Sequence, residues 1–395
     1  MQHDEVVFTS GCDFDEHGHL GILRSDVCTS KCTVDNIPKQ LVKGDSAVLV
    51  VTTRDSLGNQ VVPKQPVKAK IRKPHASWED IDVMDNKDGT HKVTVFGQVN
   101  GKYQVTMIVG DQQMPGCPLV IPVIGLVKTI GSEGSYMGQY NRPFCVAINK
   151  NGDIVTADTF NNRLQMITRD GILKKILKFS QFKMPFTPFD IALCSDNTYY
   201  SLDNNNRRVV VSDEDGHIIR IFGRHQLNDP RGIAISPLNG TVYVTEDDRV
   251  MIYSKHGKYL SSFGTPEFFE PLGVAIGSTG MIFFTDHSNN CIHVFNVYNK
   301  YLYSFDCKST AGELLCPMGI TIENDKYLYV TASSTCPYTA DGFILKFETC
   351  GKFVCRIDND SDGLNHPDGI ALTNDVPCRV VVADTANHCI KVFVQ

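Results

Sequence analysis

Pro143-Phe-Cys-Val-Ala147, Pro188-Phe-Asp-Ile-Ala192, Pro230-Arg-Gly-Ile-Ala234, Pro271-Leu-Gly-Val-Ala275, Pro317-Met-Gly-Ile-Thr321 and Pro367-Asp-Gly-Ile-Ala371 are six versions of one phrase, and successive prolines stand 41 to 50 residues apart. Each phrase opens an apolar run. A turn follows, then a β-branched and aromatic run such as Thr241 to Thr245 or Met281 to Thr285. A third run comes after it: Leu164 to Ile167, Val209 to Val211, Ile292 to Phe295 or Ile390 to Val394. Four short strands in a unit of about 40 to 45 residues are the signature of a propeller blade. Residues 125–395 therefore read as a six-bladed β-propeller with blades starting near 143, 188, 230, 271, 317 and 367.

The chain stops at Gln395, just after the third strand of the sixth repeat, which leaves a blade with an open edge. Fourth strands read Ile218-Ile-Arg-Ile-Phe-Gly223 and Tyr259-Leu-Ser-Ser-Phe-Gly264, and Leu126-Val-Lys-Thr-Ile-Gly131 has the same form ahead of the first repeat. Residues 126–131 are thus expected to close the ring. Upstream the rhythm changes. Apolar runs at Ala47 to Val51, Val67 to Ile71, His91 to Phe96, Tyr103 to Val109 and Leu119 to Val123 are separated by turn signals, the strongest being Asn86-Lys-Asp-Gly89. That spacing indicates an immunoglobulin-like β-sandwich over 33–124. Residues 1–32 resist assignment, although Val6 to Phe8 and Leu20 to Leu23 read as strands.

Composition excludes several classes. With 42% hydrophobic and 21% charged residues the chain is an ordinary globular protein. The first thirty residues hold no basic start followed by an apolar run, and no stretch reaches the roughly 18 apolar residues of a membrane helix, so a soluble, cytoplasmic protein without membrane contact is expected. Fourteen cysteines are scattered without a Cys-x-x-Cys pair, and several sit in apolar runs (Cys194, Cys291, Cys389), which favours reduced, buried thiols. Cys28 and Cys32 approach ligand spacing, but no second pair completes a zinc site. No cofactor is indicated.

Ala157-Asp-Thr-Phe-Asn-Asn-Arg-Leu-Gln-Met-Ile167, echoed by Ala383-Asp-Thr-Ala-Asn-His-Cys-Ile390, resembles the NHL repeat. Asp88-Gly-Thr90, Gly101-Lys-Tyr103 and Pro115-Gly-Cys-Pro118 resemble a filamin-type repeat. A filamin repeat joined to six NHL repeats is similar to the C-terminal half of tripartite-motif NHL proteins, the Brat-like and Lin-41-like group. The resemblance covers residues 33 to 395. It implies a propeller whose upper face binds RNA hairpins, often to repress messages, or recruits proteins for ubiquitination or transport. Family members often carry a RING finger, B-boxes and a coiled coil; their spacings are absent here, so this chain is expected not to transfer ubiquitin by itself and to be a monomer.

Charge narrows the choice of ligand. Residues 126–395 hold 25 Lys and Arg against 29 Asp and Glu, so no global basic field draws in nucleic acid. Distribution matters more. In a propeller the turns between second and third strands and the connectors from fourth strands to the next blade share one face, here called the crown. Blades 1 to 3 are expected to present Arg142, Arg163, Lys178, Lys183, Arg207, Arg208, Arg224, His225, Arg231 and Arg249 there. Blades 4 to 6 present mainly Asp286, His287, Asp341, Asp360, Asp362, Asp368 and Asp384. Tyr140, Phe160 and Phe186 interleave with the basic half, as stacking on unpaired bases requires. Two bland readings compete: the aromatics pack between blades, and Asn-Asn-Arg arginines pair with Asp158 or Asp203.

Blade 3 is irregular at Glu246-Asp-Asp-Arg249, and blade 5 inserts Ser333 to Gly342 with Cys336-Pro-Tyr338, an alternative protein contact. Hydrolytic propellers hold a metal on the axis, but the near-axis position after each proline is Gly232, Gly273, Gly319 or Gly369, with only Asp190 polar, so neither catalysis nor a metal site is expected. In the sandwich, the strand around Trp78, Glu79, Asp80 and Asp82 has a charged outer face, and a filamin-type edge can also accept a peptide by strand addition. RNA-hairpin binding leads, with a protein client of a ubiquitin ligase as the alternative.

Overall fold

The structure is a computed structural model that describes residues 12–14, 20–22, 24–74, 76–246, 248–264, 270–309, 311–334, 341–376 and 378–394. The chain divides into two compact units, Met1–Ile124 and Gly125–Gln395. Its regular structure is strand, punctuated by short 3-10 turns.

The first unit is the sandwich. One sheet orders Val83–Asp85, Thr90–Phe96, Ser46–Thr52 and Thr33–Asp35; the other runs Leu41–Val42, Leu119–Ile124, Gly101–Val109, Val67–Arg72 and Trp78–Ile81. Alternation decides the faces: Val93 and Val95 point inward from one sheet, Val105, Met107, Ile121 and Val123 from the other, and all are buried in a shared core. The domain starts earlier than residue 33, because Arg24–Ser25 pairs in parallel with Val62–Pro63. Leu20–Ile22 forms a hairpin with Cys12–Phe14. The expected strand at Val6 to Phe8 lies outside the described residues.

The second unit holds six four-stranded antiparallel sheets. Blade 1 comprises Pro143–Ile148, Ile154–Asp158, Arg163–Ile167 and Leu173–Leu177; blade 2 Pro188–Leu193, Tyr199–Asp203, Arg208–Ser212 and Ile218–Phe222; blade 3 Ile233–Ile235, Val242–Thr245, Val250–Tyr253 and Tyr259–Phe263. Blade 4 comprises Pro271–Ile276, Ile282–Asp286, Cys291–Phe295 and Tyr301–Asp306, and blade 5 Leu315–Glu323, Tyr327–Ser334, Gly342–Glu348 and Phe353–Arg356. In blade 6, Pro367–Leu372, Arg379–Asp384 and Cys389–Val394 are completed by Leu126–Ile130, whose Ile130 stands opposite Ile390 and Leu126 opposite Phe393. The first strand of the propeller therefore closes its last blade. First strands of neighbouring blades contact one another around the axis.

Each seam between blades carries one repeated hydrogen bond from the end of a second strand to the first strand of the next blade. Thr159 Oγ1 donates to the Pro188 carbonyl at 2.7 Å, Asn204 Nδ2 to Pro230 at 2.7 Å, Thr245 to Leu272 at 2.7 Å, Thr285 to Met318 at 2.5 Å and Thr385 to Pro143 at 2.6 Å; Thr331 donates to Asp368. The same threonines accept from Gly232, Gly273 and Gly319 in their own blades. These glycines are required by space. A Cβ on Gly232 would stand 2.1 Å from the Leu272 carbonyl oxygen, and one on Gly319 2.3 Å from that of Asp368. A methyl group at either position pushes two blades apart.

Candidate ligand-binding face of the propeller

The crown is built on an acid at the end of the second strand. In blade 1, Asp158 is buried and accepts from the Asn141 backbone N–H at 2.8 Å, from Asn161 Nδ2 at 2.9 Å, from Gln165 Nε2 at 2.9 Å and from Arg163 Nε at 2.7 Å. Asp203 repeats the set with Thr187, Asn206 and Arg208, and Asp384 with Asn365, Asn387 and Lys391. Asp286 takes Glu270, Asn289 and His293. A carboxylate only accepts, and each of these is surrounded by donors, one of them ionisable. The ionisable donor lies five residues after the acid in blades 1 and 2 and seven after it in blades 4 and 6.

This geometry corrects the expected surface at four positions. Arg163 and Arg208 are buried, not presented: their guanidiniums hold the acids, and Arg208 also stacks 3.8 Å over the Phe182 ring. Tyr140 is buried with Ile130, Val146 and Ile390 where blades 6 and 1 meet, and Phe186 lies edge-on against Phe179 in the core of blades 1 and 2. The acidic half shrinks for the same reason, since Asp286, Asp362 and Asp384 are buried. Asp360 and Asp341 remain exposed.

What stays exposed over blades 1 to 3 is Arg142, Lys178, Lys183, Arg207, Arg224 and His225. Arg249 is exposed but bridges to Glu246 at 3.0 Å, and half-buried Arg231 bridges to Asp229 at 2.7 Å. Phe160 projects beside them, with the Arg142 guanidinium 5.8 Å from its ring centre. The backbone at Arg142 and Arg207 is left-handed, with φ of 49° and 51°, so both side chains sit on tight turns that fix their direction.

The connector into blade 1 adds residues that sequence reasoning missed. Tyr136 and Met137 are 80% and 77% exposed at the tip of an arch. Buried Arg163 holds that arch from below: Nη1 donates to Ser135 O at 3.0 Å, and Nη2 to Tyr136 O at 2.8 Å and Gln139 O at 2.9 Å. Asn161 donates to Gly134 O, and Gln165 accepts from Gly138 N. Arg163 is thus a positioning residue for Tyr136 and Met137. The signal was present in Gly134-Ser-Tyr-Met-Gly138, where two bulky apolar residues stand between glycines in a connector with no strand to bury them. Met184, also exposed, has the same character in the next connector.

On the axis, the residues following the six prolines form a ring: Phe144, Phe189, Arg231, Leu272, Met318 and Asp368 line a cavity of about 200 Å3 with Glu270 and His287 at its edge. Phe144 stacks on Phe189 at 4.5 Å. Asp190 is not the only polar residue there, as Arg231 and Asp368 join it. Burial pushes the Asp368 carboxyl up to about 7, against the Thr385 hydrogen bond and the Arg142 charge, which lower it. Among the described residues, no group of three or more His, Cys, Asp or Glu is placed to hold a metal ion. No helix among them is long and apolar enough to cross a membrane. Asp247 and residues 335–340, which include most of the blade-5 insert and its Cys336-Pro-Tyr338, lie outside the described residues.

Residues 26–120 match the filamin/ABP280 repeat family. Human E3 ubiquitin-protein ligase TRIM32 is 26% identical over 306 residues, covering 68% of this chain and 44% of TRIM32. The protein brain tumor of Drosophila melanogaster is 28% identical over 147 residues, 35% of this chain and 14% of that protein; lin-41 of Caenorhabditis elegans is 26% identical over 123 residues, 28% and 11%. The chain spans less than half the length of these relatives. Among solved structures, a protein of unknown function from Bacteroides thetaiotaomicron is similar with a TM-score of 0.53 and 14% identity, over 92% of this chain and 98% of that one, a likeness of fold alone. With a filamin repeat ahead of six four-stranded blades, the chain is similar in these parts to TRIM32, brain tumor and lin-41.

Proposed function

We propose that this chain is a non-catalytic recognition module that binds a structured RNA, a hairpin, on the crown over blades 1 to 3. One observation carries the reading: Arg142, Lys183, Arg207 and Arg224 stand exposed on the same face as the projecting rings of Tyr136 and Phe160. Cations grip phosphates and aromatic faces stack on unpaired bases, so the combination suits a shaped, partly single-stranded target better than a duplex. Net negative charge elsewhere keeps nonspecific binding weak. The module acts in the cytoplasm as a monomer, and any ubiquitin transfer belongs to a RING domain rather than to the sandwich or propeller.

A second reading has its own support. Tyr136, Met137 and Met184 are apolar and adaptable, as protein-binding surfaces often are, and the relatives TRIM32 and TRIM71 are named E3 ubiquitin-protein ligases. On that reading the crown recruits a protein client. The deciding experiment is selection of a randomised hairpin RNA pool on the purified chain at about 0.15 M salt, where nonspecific phosphate contacts contribute little. Two folded variants serve as controls, Lys183→Glu with Arg207→Glu, and Tyr136→Ala with Met137→Ala. Enrichment lost in both supports RNA. No enrichment over the charge-reversed variant transfers the crown to a protein client.

A further inference from the structure

Among the described residues, the outermost strand of every blade is paired along one side only. Such edges invite strand addition, and proteins blunt them with Lys or Arg inside the strand. Four blades do so. Lys174 and Lys175 lie in Leu173–Leu177 and pair with Asp153 and Asp215; Arg220 in Ile218–Phe222 donates to Lys255 O; Arg356 in Phe353–Arg356 pairs with Asp358; and Lys128 in Leu126–Ile130 donates to Asp170 O.

Blades 3 and 4, which are neighbours, carry no cation within the outer strand. They share a pattern instead, Tyr259-Leu-Ser-Ser-Phe263 and Tyr301-Leu-Tyr-Ser-Phe305. In both, the tyrosine hydroxyl donates to the serine three residues on, at 3.2 Å and 3.1 Å, and the ring leans on the blade's own aromatics, Tyr253 or Phe295. Leu260 and Leu302 are about half exposed, at 51% and 45%, and Tyr298 in the preceding turn is 78% exposed. Core packing asks for none of these three. The cations are displaced to the turns that lead into the strands: Lys255 and Lys258 before blade 3's edge and Lys300 before blade 4's, all exposed, with no acid in either turn.

We propose that the rim of blades 3 and 4 is a second docking surface, separate from the crown, that takes an extended segment of a partner protein as an added strand. Charge selects the occupant. The segment carries an acidic residue at the end lying beside Lys258 or Lys300, followed by apolar residues at alternate positions that cover Leu260 or Leu302 on one face of the blade. Main-chain bonds to the free edge supply affinity, and the leucine positions supply selection. A second copy of this chain fits less well, since antiparallel pairing of blade 3's edge with itself sets Lys258 beside Gly264, and in blade 4 the acid that self-pairing would bring to Lys300, Asp306, is already bridged to Lys308 at 2.6 Å. The inference does not rest on the crown's ligand being RNA.

The test is selection of a displayed library of short random peptides on the full chain, counted against the full chain bearing Leu260→Lys and Leu302→Lys. Both leucines are surface positions, and thermal melts verify that the variant folds. Enriched peptides should alternate apolar residues behind an acid, bind roughly tenfold more weakly to the Lys258→Glu, Lys300→Glu chain, and protect amides of 259–263 or 301–306 from exchange. Equal recovery on both chains overturns the proposal. So does concentration-dependent dimerisation of the full chain that Leu302→Lys abolishes, which gives the rim to a second copy.

Discussion

Replacing Arg163 by alanine should unsettle the propeller more than any exposed arginine does. Its guanidinium is buried, bridges Asp158 at 2.7 Å and ties down three carbonyls of the arch. In the variant Asp158 keeps its donors from Asn141, Asn161 and Gln165 but loses its counter-charge in a site closed to water. Removing one partner of a buried ion pair costs about 3 to 5 kcal/mol, because the remaining charge stays desolvated and uncompensated. Arg207, exposed on the next blade, should cost less than about 0.5 kcal/mol when truncated. With a urea slope of about 2 to 3 kcal/mol per molar, the propeller's midpoint should fall by roughly 1 to 2 M in Arg163→Ala and hardly move in Arg207→Ala. Tyrosine circular dichroism follows the propeller, while emission of the single tryptophan, Trp78, reports the sandwich. A midpoint for Arg163→Ala within about 0.3 M of the parent would refute the claim that this pair organises the corner. Reduced ligand binding by an Arg163 variant should likewise trace to a loosened Tyr136–Met137 arch.

Other outcomes follow from the same geometry. Thr285→Val keeps the shape but strands Gly273 N–H and Met318 C=O at a seam, and should lower stability by about 1 to 3 kcal/mol in chemical denaturation, whereas exposed Thr129→Val serves as the neutral comparison. Deleting residues 126–130 removes the fourth strand of blade 6 and should abolish the propeller's cooperative melt; an unchanged melting temperature would contradict ring closure. The raised carboxyl of Asp368 binds its proton more tightly folded than unfolded, where the value is about 3.9. Stability contributed by that proton is present at low pH and lost as pH rises from about 4 to about 7, so Asp368→Asn should gain on the parent at pH 8 relative to pH 5, and identical pH profiles would remove Asp368 as the source. Tyr136→Ala with Met137→Ala should leave the melt unchanged and weaken binding of the selected crown ligand by at least roughly tenfold, about 1.4 kcal/mol.

The ring was legible because its cause is local and repeated. A proline opening an apolar run recurs six times, four of them with a glycine where no side chain fits, and the missing strand could be found by its likeness to other fourth strands. The sandwich was legible through alternation, since a period of two puts Val93 and Val95 on one face whatever lies opposite. The start of the sandwich was not, because Arg24–Ser25 is anchored by pairing with Val62–Pro63, a partner that two residues of sequence do not announce.

The site divides along a different line. Residue type told where charge and aromatic area gather along the chain, and Arg142, Lys178, Lys183, Arg207, Arg224, His225 and Phe160 do reach the surface of the crown. Which of two adjacent arginines is inside depended on the turn between the second and third strands. Arg207 takes the left-handed position that ends the turn and points to water, and Arg208, one step on, begins a strand and turns inward to Asp203. Direction within a strand reverses at every residue, so a shift of one position exchanges a ligand contact for a buried ion pair. Sequence alone determines that an acid, an asparagine and a basic residue recur at the corners of blades 1, 2, 4 and 6; only the tertiary fold, by closing water out around the acid, decides which cations are left to meet a partner.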